Sequence, residues 1–161
     1  MQWSDICQDK TLQDLPYKIE TNEWGNIVMT PASNLHGNIQ TRIAFLLIAL
    51  MEGGEVSTEI SIMTSMGVKV ADVVWASDAF LRKNRWETPY RYAPEVCVEV
   101  TSPSNTDREM SVRKELYLSQ GTEEYWLCDK DGNPVFYDQR GEVTKSNLLP
   151  RMPTRIVMAA W

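Results

Sequence analysis

The chain has 161 residues, 43% of them hydrophobic, enough for one domain with a genuine core and too few for two of comfortable size. Its formal net charge of −6 works against tight nonspecific binding to nucleic acid, which rests on lysine and arginine neutralising phosphates. The opening MQWSDICQDK lacks the apolar stretch of a secretory signal, and the longest apolar run, Ile43 to Met51, falls well short of the roughly 18–20 residues that cross a bilayer.

The cysteines, Cys7, Cys97 and Cys128, are odd in number and lack metal-ligand spacing, which reads as free thiols in a reducing compartment. A soluble cytoplasmic protein, apart from any membrane, is expected. Charge is unevenly spread: residues 1–35 hold five acids against two bases, and residues 139–161 hold four bases against one acid. Arg82, Lys83, Arg85 and Arg91 form a further basic cluster beside Trp86, the tryptophan best placed for a nucleic-acid contact. The acidic balance therefore weakens a nucleic-acid reading without excluding it, because acids gathered at a metal site count toward the total and are neutralised in use.

In chain order, Tyr17 to Glu20 and Asn26 to Thr30 read as two short strands joined by a turn containing Asn22, Trp24 and Gly25. Ser33 or Asn34 opens a helix running to about Glu52, with Ile39, Ile43, Leu46, Leu47 and Leu50 at helical spacing and a stop at Gly53-Gly54. Glu55 to Met63 alternates as a strand, and Val68 to Trp75 is a second one rich in β-branched residues. The charged, Pro-containing stretch 78–94 reads as an excursion. PEVCVEV is a third strand, with Val96, Val98 and Val100 on one face and Glu95, Cys97 and Glu99 on the other.

Thr106 and Glu109 have the form of a capping box, so a helix is expected over about 106–119, ending at Gly121. Tyr125 to Cys128 is a fourth strand of the core, followed by an Asp131-Gly132-Asn133 turn, Val135 to Tyr137, and an edge strand over 156–159. No linker divides the chain. The expected organisation is one domain over 1–161, with a hairpin region at 1–30, a core at 33–129 and C-terminal strands at 130–161. The order helix–strand–strand–strand–helix–strand implies an α/β (α+β) class, a mixed sheet with helices on both faces.

Three residues stand out chemically. Asp72 lies in VKVADVVW, where an acid is costly to bury unless it is paired or binds a metal; the plainer alternative is a strand-end residue bonded to nearby amides. Glu99 lies in VCVEV, and on a neighbouring strand the two carboxylates can converge on one cation; the alternative is a pair with a structural arginine or lysine. Lys114 falls between Met110, Tyr117 and Leu118 on a helical wheel and should point toward the sheet, where a cation could orient an attacking water or stabilise developing charge. Its alternative is a lysine whose stem packs while its ammonium reaches solvent.

His36, ADVVW, APEVCVEVTSPSN and KELYLSQGTEEYWLCD, in that order, resemble the PD-(D/E)xK nuclease superfamily and, within it, the restriction-endonuclease family with Uma-type domains. The resemblance covers most of the chain. It implies a restriction-endonuclease-like core and makes Asp72 and Glu99 the acids that hold Mg²⁺ or Mn²⁺, with the backbone carbonyl of Val100 as a further ligand. Two positions depart from the superfamily pattern: Ala71 stands where a proline would precede the aspartate, and Thr101 where a lysine would follow the glutamate. In the resembled family a lysine on the following helix takes that role, and here it would be Lys114.

His36 is a candidate contact to substrate or to a metal-bound water, with a polar helix-end role as the alternative. Ser102, Ser104 and Asn105 sit where amides and hydroxyls could bind a phosphate, or where they merely cap the helix. Glu59 is a further acid that could simply face solvent. The expected activity is phosphodiester hydrolysis, with DNA as the partner. A non-enzymatic nuclease-fold protein acting as a DNA-associated or dimerising module is the rival. Cutting both strands of a duplex is commonly done by two sites, which makes a homodimer an expectation, though no stretch of sequence marks an interface.

Overall fold

The computed structural model describes residues 2–31 and 33–156. The first helix, α1 (Trp3–Gln8), was not expected from sequence; the two short strands were, as β1 (Tyr17–Thr21) and β2 (Ile27–Pro31), paired antiparallel with Tyr17 opposite Pro31. The turn between them is tied by Asn22, whose side chain accepts from the amides of Trp24 and Asn26. Helix α2 (Asn34–Leu50) begins at Ser33, whose hydroxyl accepts from the His36 amide.

Two long strands follow, β3 (Glu55–Thr64) and β4 (Gly67–Ala76). Part of the stretch read as an excursion is helical: α3 (Asp78–Asn84). Its signal was the cap, since the Ser77 hydroxyl accepts from the Phe80 amide, but its seven residues are too few for a visible hydrophobic period. Strand β5 (Val96–Val100) leads to α4 (Asp107–Ser119), which carries the expected Thr106–Glu109 capping box. Then come β6 (Glu124–Cys128), β7 (Pro134–Asp138) and the short β8 (Gly141–Val143). Of the edge strand expected over 156–159, Ile156 bonds through its amide to the Gly132 carbonyl, and the rest lies outside the described residues.

The main sheet has the order β3-β4-β5-β6-β7-β8, antiparallel except for the parallel pair β5–β6. That parallel pair needs a crossover, and α4 supplies it. The expected mixed sheet with helices on both faces is present. Ile39, Ile43 and Leu47 of α2 pack with Val96, Val98, Val100 and Trp126 on one face, and Tyr117 and Leu118 of α4 pack with Val74, Cys97 and Tyr125 on the other. Cys97 and Cys128 are free and buried, Cys7 is free and exposed, and no helix among the described residues is long and apolar enough to cross a membrane.

Two irregularities in this sheet shape the site. The β3–β4 ladder passes from Thr58↔Val73 to Ile60↔Ala71, leaving out Glu59 and the facing Asp72; Glu59 has φ 55°. Alternation breaks there, because Val73 packs with the α2 core and Ala71 with the α4 core although two residues apart on one strand. The β4–β5 ladder, in turn, stops at Val73↔Val98, one step before Asp72 and Glu99. The strands diverge beyond that point, and their freed amides are taken by side chains: Val68 by Thr21 Oγ1, Val70 by Glu20 Oε1 and Val100 by Asp72 Oδ2.

Strand β1 thus docks on the open edge of β4 largely through side-chain acceptors, reinforced by Lys69 Nζ donating to the Thr21 carbonyl at 2.8 Å. Gly67 permits that approach. It has φ 87°, and a Cβ there would lie 2.4 Å from the Asn22 carbonyl oxygen and 2.6 Å from that of Thr21. Gly67→Ala is expected to lower stability by roughly 1–3 kcal/mol through strain and partial undocking of the hairpin. Gly37→Ala, in α2 with no atom within 4 Å of the added carbon, is expected to raise it by about 0.5–1 kcal/mol. Urea denaturation of the two variants beside wild type checks both signs.

Candidate active site

Where β4 and β5 part, a cavity of about 330 Å³ opens, and Lys18, His36, Asp72, Glu99, Ser102 and Arg113 are among the residues lining it. Asp72 and Glu99 sit directly beyond the last rung of the ladder and are 0% and 3% exposed. Their placement follows from the sheet: each lies in a β-branched run that has to be central, yet the ladder between them has already ended.

One oxygen of each carboxylate is held by the protein framework. Asp72 Oδ2 accepts from the Val100 amide at 2.7 Å and lies 3.1 Å from His36 Nε2. Glu99 Oε1 accepts from the Tyr117 hydroxyl at 2.8 Å and from Arg113 at 3.2 Å. The other oxygens, Asp72 Oδ1 and Glu99 Oε2, face a single nitrogen, Lys18 Nζ, at 2.7 and 3.3 Å. Arg113 is itself clamped by Glu20, donating to its two carboxylate oxygens at 2.6 and 2.8 Å. That paired geometry suits a buried guanidinium–carboxylate contact.

The Asp72 backbone is supported as well. Because Glu59 has left the ladder, the Asp72 carbonyl is free to accept from Gln40 Nε2 at 2.9 Å, and the same amide group donates to Glu59 Oε1 at 2.8 Å. Gln40 and His36 lie one helical turn apart on α2, so one face of that helix serves Asp72 twice.

Charges in this cluster shape one another. Burial opposes ionisation of Asp72, but the Lys18 charge and the His36 hydrogen bond outweigh it and hold the carboxyl well below the usual range. For Glu99 the balance runs the other way: burial, helped by Asp72 and Glu20, raises it above the usual carboxylate range despite Arg113 and Lys18. Lys18 is largely buried, yet Glu99 and Asp72 keep its ammonium protonated beyond the ordinary lysine value.

The expected site residues are thus brought together only in part. Asp72, Glu99 and His36 meet, and Ser102 lines the same cavity. The Ser102 hydroxyl is engaged locally with Asn105 Oδ1 and the Ser104 hydroxyl, each at 2.9 Å. Val100 contributes its amide, as a donor to Asp72. Lys114 is not at the carboxylates: its ammonium lies over the Tyr137 ring, 4.8 Å from the centroid and 3.4 Å from Glu115, in a neighbouring depression. Met110 and Tyr117 lie on one line of the helix, and residues 113 and 114 flank it on opposite sides; Arg113 reaches Glu99 and Lys114 lies over Tyr137 of β7. Trp86 is 92% exposed and lies with Arg82 and Arg85 along a separate depression.

Lys18, Glu20, Gln40, Arg113 and Tyr117 were missed. Two signals for them exist: Lys18 and Glu20 alternate on one face of a short strand, and Arg113 and Tyr117 are four apart on a helix. Neither spacing reveals which carboxylate the pair will meet.

The donor set can be tested against a divalent ion. Two hard carboxylate oxygens converge on one cation position, marked by the Lys18 ammonium, and two carboxylates completed by water and phosphate oxygens are a set magnesium accepts. Among the described residues no group of three His, Cys, Asp or Glu side chains is placed to hold an ion unaided. Asp72 and Glu99 are the two residues that could hold such an ion, with its remaining positions left to water or phosphate oxygens.

Arg113→Met strands Glu20 and Glu99 in the interior and is expected to cost about 3–5 kcal/mol in urea unfolding, part of it recovered by adding Glu20→Gln. His36 is held above its ordinary value by the hydrogen bond to Asp72, against the effect of its partial burial. Its contribution to stability is therefore complete below about pH 6.5 and lost as pH rises through the folded value. NMR titration of the only histidine should give a midpoint above 6.5 in wild type and a lower one in Asp72→Asn.

The same fold occurs in a crystal structure described as "a putative nuclease belonging to DUF820 from Anabaena variabilis ATCC 29413", with TM-score 0.69 and 18% identity over 86% of this chain and 87% of that one. No curated protein matches the sequence. The profile of Uma2, a family described as "Putative restriction endonuclease", matches residues 11–155, nearly the whole chain, and the chain belongs to that family.

Proposed function

We propose that this protein is a nuclease that hydrolyses phosphodiester bonds, with DNA as the substrate and Mg²⁺ or Mn²⁺ as the cofactor. The observation that carries the reading is the convergence of Asp72 Oδ1 and Glu99 Oε2 on one cation at the lining of an open cavity, in a chain of the restriction-endonuclease family. A divalent ion held by Asp72 and Glu99 would polarise the scissile phosphate and acidify a water.

The chain's own residues have separable tasks. The Val100 amide and His36 fix one oxygen of Asp72, leaving the other free to bind a cation. Tyr117 and Arg113 do the same for Glu99, so the two ligands are held before any substrate arrives. Lys18 supplies the mobile positive charge that the Thr101 position lacks, within reach of a phosphate seated against the two acids. Glu20 holds Arg113 on Glu99 and contacts no reacting atom. Lys114, over Tyr137, takes no part at the reacting phosphate.

Incubation of supercoiled and single-stranded DNA with Mg²⁺ or Mn²⁺ tests the proposal. Wild type should convert both metal-dependently, and folded Asp72→Asn and Glu99→Gln should each lose at least about 100-fold in rate. Lys114→Ala should stay within about threefold of wild type, as expected for a residue outside the reaction. Absence of cleavage in either metal, with Asp72→Asn as stable as wild type or more so, would replace this reading by a non-enzymatic nuclease-fold module. Cleavage confined to RNA would change the substrate and keep the site.

A further inference from the structure

We propose that Lys18 is a built-in counter-cation that competes with the divalent ion for this site. Its ammonium occupies the position shared by the two carboxylates and yields it only by swinging out onto an anion such as a substrate phosphate. The inference rests on the reading of Asp72 and Glu99 as the metal pair, and it concerns how access to that pair is controlled.

Occupancy comes first. Each carboxylate has one oxygen committed to the framework and one directed at Lys18 Nζ, and it is the same nitrogen for both. An ion using Asp72 Oδ1 and Glu99 Oε2 would sit about 2.0–2.1 Å from each oxygen, overlapping the ammonium and repelling it. The two cations exclude one another.

Charge balance points the same way. Glu20, Asp72 and Glu99 are buried together, and Lys18 and Arg113 neutralise two of them, with His36 hydrogen-bonded to Asp72 as the third partner. Lys18, Arg113 and an added divalent ion together would carry more positive charge than the three carboxylates can balance, a surplus that is relieved if one cation departs. Arg113 is poorly suited to leave, being clamped to Glu20 by two hydrogen bonds. Lys18 is the one that can move. It lies on a two-stranded hairpin outside the main sheet, its side chain lines the cavity and retains 15% exposure, and a lysine stem is flexible.

The protein then has an ion-competent state, with Lys18 withdrawn, and an incompetent one with Lys18 in place. Apparent metal affinity is weakened by the fraction of molecules that are competent. Substrate phosphate, by offering Lys18 another anion, would raise that fraction, so ion and substrate would bind cooperatively.

Calorimetric titration with Mn²⁺ alone, without nucleic acid, tests this on the whole chain. Lys18→Gln should bind one ion at least about tenfold tighter than wild type, an expectation within the usual range of coupling between sites. Lys18→Arg, which keeps the cation, should stay as weak as wild type, and Lys18→Gln/Asp72→Asn should lose the gain. The melting temperature of Lys18→Gln should rise on adding millimolar Mn²⁺ while that of wild type moves little. If Lys18→Gln is poorly folded, Lys18→Met, which keeps the apolar stem, serves in its place. Equal Mn²⁺ affinity in wild type and the neutral variants, or no binding by any of them, would overturn the proposal. Tighter Mn²⁺ binding by Lys18→Gln, together with no DNA cleavage by wild type, would uphold it while removing the nuclease reading, so the two fail separately.

Discussion

Two buried carboxylates facing each other across a split in a β-sheet form the constraint around which the rest is arranged. Neither could stay ionised in that interior alone, since the cost of stripping a charge of water is several kcal/mol. The structure meets this by surrounding the pair with donors from four elements: Lys18 from β1, His36 from α2, the Val100 amide from β5, and Arg113 with Tyr117 from α4. Glu20 then neutralises Arg113, so the network extends from the hairpin through the sheet to the helix. Removing a member exposes its partners to uncompensated burial, which couples the hairpin, both large helices and the sheet through one cluster.

The split itself has a local origin. Glu59 and Asp72 drop out of the β3–β4 ladder, Asp72 lends its carbonyl to Gln40, and the β4–β5 ladder ends one step short of the acids. Irregularity of this kind re-aims a side chain, and it commonly lies beside functional sites. Here it converts a position that would continue the ladder into a lining of the cavity. The hairpin of β1 and β2 closes the opened edge by lending side-chain acceptors to the amides of Val68 and Val70, and the same strand delivers Lys18. Closing the edge and supplying the cation are one packing event.

Buried acids elsewhere in the chain set this site apart. Glu124 is as buried as Glu99, but its oxygens are taken by Trp126, Ser146 and the amides of Asn147 and Leu148, neutral donors that pin the C-terminal segment to β6. Glu95, which is half-buried, likewise accepts from the Ser77 hydroxyl and amide. Those acids are tied by groups that cannot leave. Asp72 and Glu99 instead each present one oxygen to the Lys18 ammonium, a charged group on the wall of a cavity.

Sequence alone determined the elements and the two acids. Strand and helix periods, the Ser33 and Thr106 caps and the Gly53-Gly54 stop are local signals, and an acid within a run of valines is conspicuous because burial makes it costly. The helix over Asp78–Asn84 escaped because seven residues carry too little period to read, and α1 and β8 are shorter still. Which cation meets the acids was decided only by tertiary structure. Residues 113 and 114 flank the same line on the helical wheel, and the seating of α4 on the sheet, set by Tyr117 and Leu118 packing against Val74, Cys97 and Tyr125, sends the arginine to Glu99 and the lysine to Tyr137. Lys18 lies 54 residues from Asp72 and 81 from Glu99, on a hairpin whose docking depends on an edge that exists only because the ladder breaks. A contact made across that distance leaves no periodic trace in the chain, because its geometry belongs to the packing of whole elements and not to the residues beside it.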